Sequence, residues 1–351
     1  MKQKPNRPSL PETLHGRWMS KDYRPGWISV VTPTHDRGRL LLEAMDSVAA
    51  QSYRPIELNV VDDGSREPIG KLVTDWNKRY KSDSLLVARY LRQNHCGACA
   101  ARNLGLIESH GEFIQYLDSD DILHPSKLKA QVEELEANKD LDFVWSGTSR
   151  FERVPDWRAE PYCGTARRNL LPDFITQLVW KTESGLYRRR ACVRTGPWNE
   201  KLSKWQDWEY NMRFVLLNPT VKHVAGTLSS ARNHASGQIS NLTFTEEGQR
   251  GMLLATEAVE RCLRGAGYVN RAMYAGLVWR YRETAANAII HGNSHIAARA
   301  LGRAMDLRPG LFGLLELELF GIVNRIPVGV RSGLIKLGLG VKKQIRRAVK
   351  T

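Results

Sequence analysis

Two carboxylates two positions apart, Asp118 and Asp120 in the run Asp118-Ser119-Asp120-Asp121, are the residues of this chain best suited to chemistry. On an extended segment, residues i and i+2 point the same way. The pair can therefore hold one hard divalent cation, Mg2+ or Mn2+, whose remaining positions go to phosphate oxygens and water. An ion held there would neutralise charge on a departing diphosphate as a Lewis acid. A plainer task also fits: Asp120 or Asp121 can cap the helix that Pro125, Ser126 and Lys127 open. What separates the two readings is the company the pair keeps.

That company is set by the elements upstream. Residues Trp27 to Thr32 form a short apolar, β-branched run closed by Pro33, the pattern of a buried strand. Leu40 to Ala50 then carries apolar residues at helical spacing. A second apolar run, Ile56 to Val61, ends in Asp62-Asp63-Gly64-Ser65. A third, Leu85 to Leu91, ends in Arg92-Gln93-Asn94, and a fourth, Glu112 to Leu117, ends in the acidic run itself. Strands alternating with helical patterns imply βαβ units, an α/β class and a mainly parallel sheet. In such sheets ligands sit beyond the carboxyl ends of the strands. All four ends carry polar residues suited to a ligand: Thr32 and Thr34, Asp62 and Asp63, Asn94, then Asp118 and Asp120. This convergence favours a ligand over a helix cap.

Residues 155–180 are irregular and punctuated by Pro, Gly and Trp, as expected of an excursion on the acceptor side. From Glu246 to about Arg308 the pattern becomes helical, and Ala275 to Pro309 resembles a single helix-turn-helix unit with Gly292 at its turn. One unit is too few for a solenoid, so it reads as a helical appendage. The expected organisation is a polar extension over 1–26, a nucleotide-binding domain over 27–242, a helical region over 243–310 and a basic tail over 311–351.

With 351 residues, 42% hydrophobic and 25% charged, the composition is that of a globular chain with a sizeable core. Five scattered cysteines argue against a disulfide framework, and Cys96 and Cys99 lack the second half-site that structural zinc needs. Met1 to Arg24 has no apolar core of a secretory signal, so the expectation is a cytoplasmic protein. From Arg325 onward there are eight Lys or Arg and no acid, about half the net charge of +15. The tail also lacks an uninterrupted apolar span of membrane length. It suits either a peripheral contact with the anionic inner face of the plasma membrane or packing on the domain.

Five segments in order carry a resemblance: I-S-V-V-T-P-T-H-D-R (Ile28 to Arg37), V-V-D-D-G-S (Val60 to Ser65), N-H-C-G-A-C-A-A-R-N-L-G (Asn94 to Gly105), Y-L-D-S-D-D (Tyr116 to Asp121) and W-Q-D-W-E (Trp205 to Glu209). Across about residues 27 to 240 the chain resembles glycosyltransferase family 2, inverting nucleotide-sugar-dependent enzymes with a GT-A fold. The resemblance implies that Thr32 and Thr34 line the nucleoside pocket, with Asp62, Asn94, Arg102, Asp118 and Ser119 also on the nucleotide. It implies that Asp63 accepts a hydrogen bond from the base, as a carboxylate can from the N3–H of uracil or thymine. It makes Asp207 the catalytic base, with Glu209 as its rival, and puts Asp118, Asp120 and His234 at the metal. Trp205 and Trp208 could stack on sugars, although burial is the commoner fate of tryptophan. The first motif departs from the family in having Thr34 where an aromatic is common.

The implied reaction moves a sugar from a nucleoside diphosphate, UDP by default and dTDP next, to a saccharide or lipid-linked acceptor of a surface polysaccharide. Two other classes fit less well. A nucleotidyltransferase needs a Gly-rich phosphate loop with a lysine after the first strand, where this chain has T-P-T-H-D-R. A nucleic-acid partner explains the charge but not the acidic strand ends, which repel phosphates. An inactive, nucleotide- or polysaccharide-binding relative is the remaining alternative.

Overall fold

The computed structural model describes residues 22–166, 170–233, 239–268 and 270–307. The expectations for the first 21 residues, for His234 and for the tail from 311 onward lie outside the described residues. The chain divides into two compact units, one running to Glu200 and resuming over Gln206–Ala235, the other made of Lys201–Trp205 and the chain from Ser236.

The first unit is built on one eight-stranded sheet. Its strands are β1 (Arg24–Thr34), β2 (Ile56–Asp63), β3 (Leu86–Gln93), β4 (Gly111–Tyr116), β5 (Ile122–Leu123), β6 (Phe143–Phe151), β7 (Gly185–Arg188) and β8 (Val221–Arg232), in the spatial order β3-β2-β1-β4-β7-β6-β8-β5. The β3-β2-β1-β4 half is parallel, as the apolar runs imply. The other half is mixed: β7 is antiparallel to both β4 and β6, β8 is parallel to β6, and β5 is antiparallel to β8. The helices of this unit are α1 (Gly38–Ala49), α2 (Ile69–Arg79), α3 (Ala98–Ile107), α4 (Lys127–Ala137), α5 (Leu170–Thr176), α6 (Arg189–Thr195) and α7 (Gln206–Leu216).

The continuous apolar runs of β1 and β2 follow from burial on both faces. Ile28, Val30, Leu58 and Val60 pack with Leu41, Met45 and Val48 of α1 and with Ile69 and Trp76 of α2. Val31 and Val61 meet α3, where a Cβ on Gly105 would lie only 2.4 Å from Val31. Only glycine lets the helix that carries Arg102 come this close to the sheet. The chain reverses direction across the sheet between β1 and β4, and Leu117 donates to the Val31 carbonyl at 3.0 Å just past the end of β4. A crevice outside such a switch point is where open α/β sheets bind ligands.

In the second unit, α8 (Glu246–Gly265), α9 (Arg271–Ile290) and α10 (Ser294–Leu307) form the helical appendage. Thr245 and Asn270 cap α8 and α9, and Gly292, at φ +80, makes the turn into α10. Buried Glu260 takes Tyr281 at 2.7 Å and Arg303 at 2.9 Å, tying the three helices together. Trp205 belongs to this unit and lies under the Arg280 guanidinium at 4.8 Å, an arrangement that accounts for it without a sugar. No helix among the described residues is long and apolar enough to cross a membrane.

Candidate active site

The carboxyl ends of β1, β2 and β4 bring most of the expected residues to one edge of the sheet. At the end of β1, Thr32 and Thr34 are buried, and neither hydroxyl has a hydrogen-bond partner. A buried hydroxyl without a partner costs free energy, so such atoms point to a ligand that would complete them. Beyond them, Asp36 adopts φ +48 and accepts the backbone N–H groups of Arg66 and Glu67, which fastens this turn to the one after β2.

The Asp-Asp-Gly-Ser turn divides its two carboxylates. Asp62 is wholly buried and accepts from Ser65 N–H at 2.8 Å, the Tyr90 hydroxyl at 2.7 Å and Arg92 at 2.7 Å. Burial would raise its carboxyl, but these donors hold it below the usual range. Asp63 accepts from Gln93 and from the backbone N–H groups of Cys96 and Gly97, all within 2.7–2.8 Å, so it shapes the loop that leads into α3. Asn94 sits on this loop, exposed. Gly64, at φ +78, has no room for a Cβ, which would lie 2.9 Å from the His95 nitrogen.

The acidic run after β4 is met by arginines. Arg102, buried on α3, donates to Asp118 at 2.6 Å and to Gln206 at 3.1 Å, and its guanidinium lies over Trp198 at 4.6 Å. Arg37 pairs with Asp120 at 2.9 Å. The side chains of Asp118 and Asp120 are 28% and 11% exposed, so both carboxylates reach the surface of the crevice, and Ser119 is buried between them. Burial works against ionisation of Asp118, yet Arg102, with Lys181 and Arg37, keeps its carboxyl below the usual range. Asp121 behaves oppositely: burial, Glu183 and Asp120 push its carboxyl well up, while it accepts the Arg232 backbone N–H at 2.9 Å.

Asp207 lies half-buried in the first turn of α7, where its own carboxylate accepts the Trp208 N–H at 2.9 Å. It acts electrostatically on both Arg102 and Lys181, which brings it to the same cluster. Its neighbours are otherwise occupied. Glu209 is buried in a two-point ion pair with Arg213 at 2.8 and 3.0 Å, and Trp208 is buried with its indole N–H on the Phe174 carbonyl at 2.6 Å.

Sequence reasoning missed Lys181 and Glu183, which stand in the irregular stretch before β7, where no periodicity marks them. Burial disfavours a charged Lys181, but Glu183, Tyr162, Asp121 and Asp207 raise its pKa well above the ordinary value, so it stays a cation. Burial raises the Glu183 carboxyl, with Lys181 opposing. Arg37 could have been found, since it ends the first motif; its pairing with the expected Asp120 could not.

Comparison with known proteins fits this geometry. A model of glycosyl transferase family 2 matches residues 29–194. The chain carries a glycosyl transferase family 2 domain. Among related proteins, an uncharacterized glycosyltransferase of Rickettsia felis is 34% identical over 122 residues, 35% of this chain and 19% of that protein. Glycosyltransferase GlyG of Streptococcus pneumoniae is 32% identical over 117 residues, 33% and 37% of the two chains, and EpsJ of Bacillus subtilis, an uncharacterized glycosyltransferase, is 28% identical over 177 residues, 48% and 49%. The chain thus spans less than half the length of these relatives. Staphylococcus aureus TarS 1-349, solved with UDP-GlcNAc, is similar in structure at TM-score 0.50 and 17% identity, over 80% of this chain and 88% of that one. The Pyrobaculum calidifontis mannosyltransferase PcManGT, solved with GDP-Man and Mn2+, gives 0.51 and 15% over 90% and 87%. At these identities the likeness is one of fold, and the fold is GT-A.

Proposed function

We propose that the chain is an inverting glycosyltransferase that moves a sugar from a nucleoside diphosphate onto a hydroxyl of a saccharide or lipid-linked acceptor in surface polysaccharide synthesis. The observation that carries this reading is the gathering of Asp118, Asp120 and Asp207 with the cations Arg102 and Lys181 at the sheet edge of a family 2 domain. UDP-GlcNAc and GDP-Man in the two structural neighbours favour a nucleotide-sugar donor, and UDP is the first choice of carrier.

In this reading Thr32 and Thr34 line the nucleoside pocket, and Asp62, Asp63 and Asn94 form its wall. Asp207 removes the proton of the acceptor hydroxyl as that oxygen attacks the anomeric carbon. The bond to the diphosphate breaks on the opposite face, so the anomeric configuration inverts. Charge then develops on the leaving diphosphate, and Arg102 and Lys181 are cations held ready for it. Glu209 is excluded as base by its pairing with Arg213. The donor set at Asp118 and Asp120 is hard oxygen on a partly exposed edge, which suits Mn2+ or Mg2+. Bound there, the ion would supply Lewis-acid stabilisation of the diphosphate. The basic residues from Arg325 onward support a cytoplasmic enzyme in peripheral contact with the anionic membrane that carries a lipid-linked acceptor.

The test is turnover of UDP-GlcNAc and related UDP-sugars, followed as UDP release. Asp207→Asn should lower kcat roughly a hundred- to ten-thousand-fold with little change in donor KM. Unchanged kcat would remove Asp207 from the role of base.

A further inference from the structure

His35, just after β1, and His95, just after β3, lie face to face with ring centroids 4.2 Å apart. Their Nδ1 atoms are 2.9 and 3.1 Å from the carbonyl oxygen of Asp63, and Nδ1 of His95 is 3.0 Å from Oδ2 of the same residue. One ligating atom from each of the three residues lies within a 4.8 Å span. Two imidazole nitrogens, a carboxylate oxygen and a carbonyl oxygen thus converge from three separate segments of chain. The geometry points to a second metal site, formed by His35, Asp63 and His95, that takes an imidazole-preferring divalent transition metal such as zinc or nickel.

The separations fit an ion. Ligands about 2.1 Å from a tetrahedral metal lie about 3.4 Å apart, so the observed 2.9–3.1 Å need open by only a few tenths of an ångström to admit one. Without a metal, each Nδ1 carries a proton and donates it to Asp63. With one, each ring takes its other neutral tautomer, the Nδ1 lone pair turns to the metal, and no proton is gained or lost. In that tautomer the Nε2–H of His35 faces Asp36 Oδ2 at 3.7 Å, and a carboxylate there is the usual outer partner of a metal-bound imidazole.

Asp63 has capacity for the bond. Gln93 and Cys96 N–H occupy Oδ1, and Gly97 N–H occupies one lone pair of Oδ2. The other is the one that His95 now engages. The two histidines are 42% and 65% exposed, so an ion can enter and water can complete its shell. The ligand chemistry separates this site from the oxygen pair Asp118 and Asp120, because imidazole selects zinc and nickel where carboxylates and phosphates select magnesium and manganese. An ion here would tie the loop ahead of α3 to the turn ahead of α1. The inference does not rest on the transferase reading, but it uses the Asp63 carboxylate that this reading puts in the wall of the nucleoside pocket, so an ion here and a base held by Asp63 exclude one another.

The experiment is calorimetric titration of zinc into the full chain carrying Asp118→Asn and Asp120→Asn, which disables the oxygen pair. The same parent is tested with His35→Ala, with His95→Ala, with both, and with Cys96→Ser. One zinc per chain is expected, weakened at least about tenfold by either histidine change, lost in the double variant and retained in Cys96→Ser. Both histidines are exposed, so the zinc-free melting temperatures of all variants should agree, and zinc should raise those of the parent and of Cys96→Ser most, those of the single histidine variants less and that of the double variant not at all. Saturable uptake that survives the double variant, uptake that follows Cys96, or no saturable uptake by the parent would each overturn the site.

Discussion

Replacing Arg102 by methionine removes a buried cation, and with it the guanidinium that lies over Trp198, while keeping a long apolar stem. In the native chain Arg102 is 4% exposed, donates to Asp118 at 2.6 Å and to Gln206 at 3.1 Å, and keeps the Asp118 carboxyl below the usual range. Breaking a wholly buried pair costs about 3–5 kcal/mol. Asp118 is 28% exposed, so solvent takes up part of the charge and about 2–3 kcal/mol is expected. For a unit of this size that lowers the melting temperature by about 5–10 °C. The loss has a definite pH dependence. Without Arg102, burial raises the Asp118 carboxyl above its unfolded value near 3.9, and the penalty is then full above the raised pKa. It is relieved as pH falls toward about 4, so the gap between native and variant should narrow on acidification. The assay is thermal unfolding by circular dichroism at several pH values, with a double-mutant cycle on Arg102→Met and Asp118→Asn. A coupling of about 2 kcal/mol is expected. A loss under about 0.5 kcal/mol at neutral pH, or a gap that does not close in acid, would refute the claim that Arg102 holds Asp118 charged.

Three further outcomes follow from the packing. Lys127 is wholly buried, donates to Gln131 at 2.6 Å and also to Gln115, and is pushed down to about 7 by burial. Its ionised form is penalised below that pH and the penalty is relieved as pH rises toward the unfolded value of about 10.4, so Lys127→Met should gain relative to native at pH 6 and lose that advantage by pH 10, measured as unfolding midpoints. Gly105→Val should destabilise by about 1–3 kcal/mol, because its Cβ meets Val31 at 2.4 Å, with denaturant midpoints as the check. Thr32→Val removes a buried hydroxyl without a partner, so the free protein should be unchanged or up to about 1 kcal/mol more stable while UDP binding weakens, as read by calorimetry.

The strand ends were legible because a parallel strand covered on both faces shows up as an unbroken apolar run that stops where the polar turn begins. Thr34, Asp63 and the run after Tyr116 stand at such stops. The mixed half of the sheet was not. Strand β7 has four residues and is recognisable only through its partners Phe113 and Phe143, which are distant in sequence. Lys181 and Glu183 were hidden for a different reason: the energy that places charged groups in the interior comes from one another and from Asp121, and no local pattern encodes that. Asp63 shows a third limit. Its type and turn were readable, but not the donors from Gln93 to Gly97 that engage it, since a loop's path depends on the close approach of Gly64 to His95.

The central claim is that the crevice at the ends of β1, β2 and β4 binds a nucleoside diphosphate with the help of a divalent ion at Asp118 and Asp120. Calorimetric titration of UDP into the full chain, with and without manganese, and repeated on Asp120→Asn, tests it most directly. The account predicts binding that manganese strengthens in the native chain and not in the variant. Failure to bind UDP, dTDP or GDP under any of these conditions would contradict it.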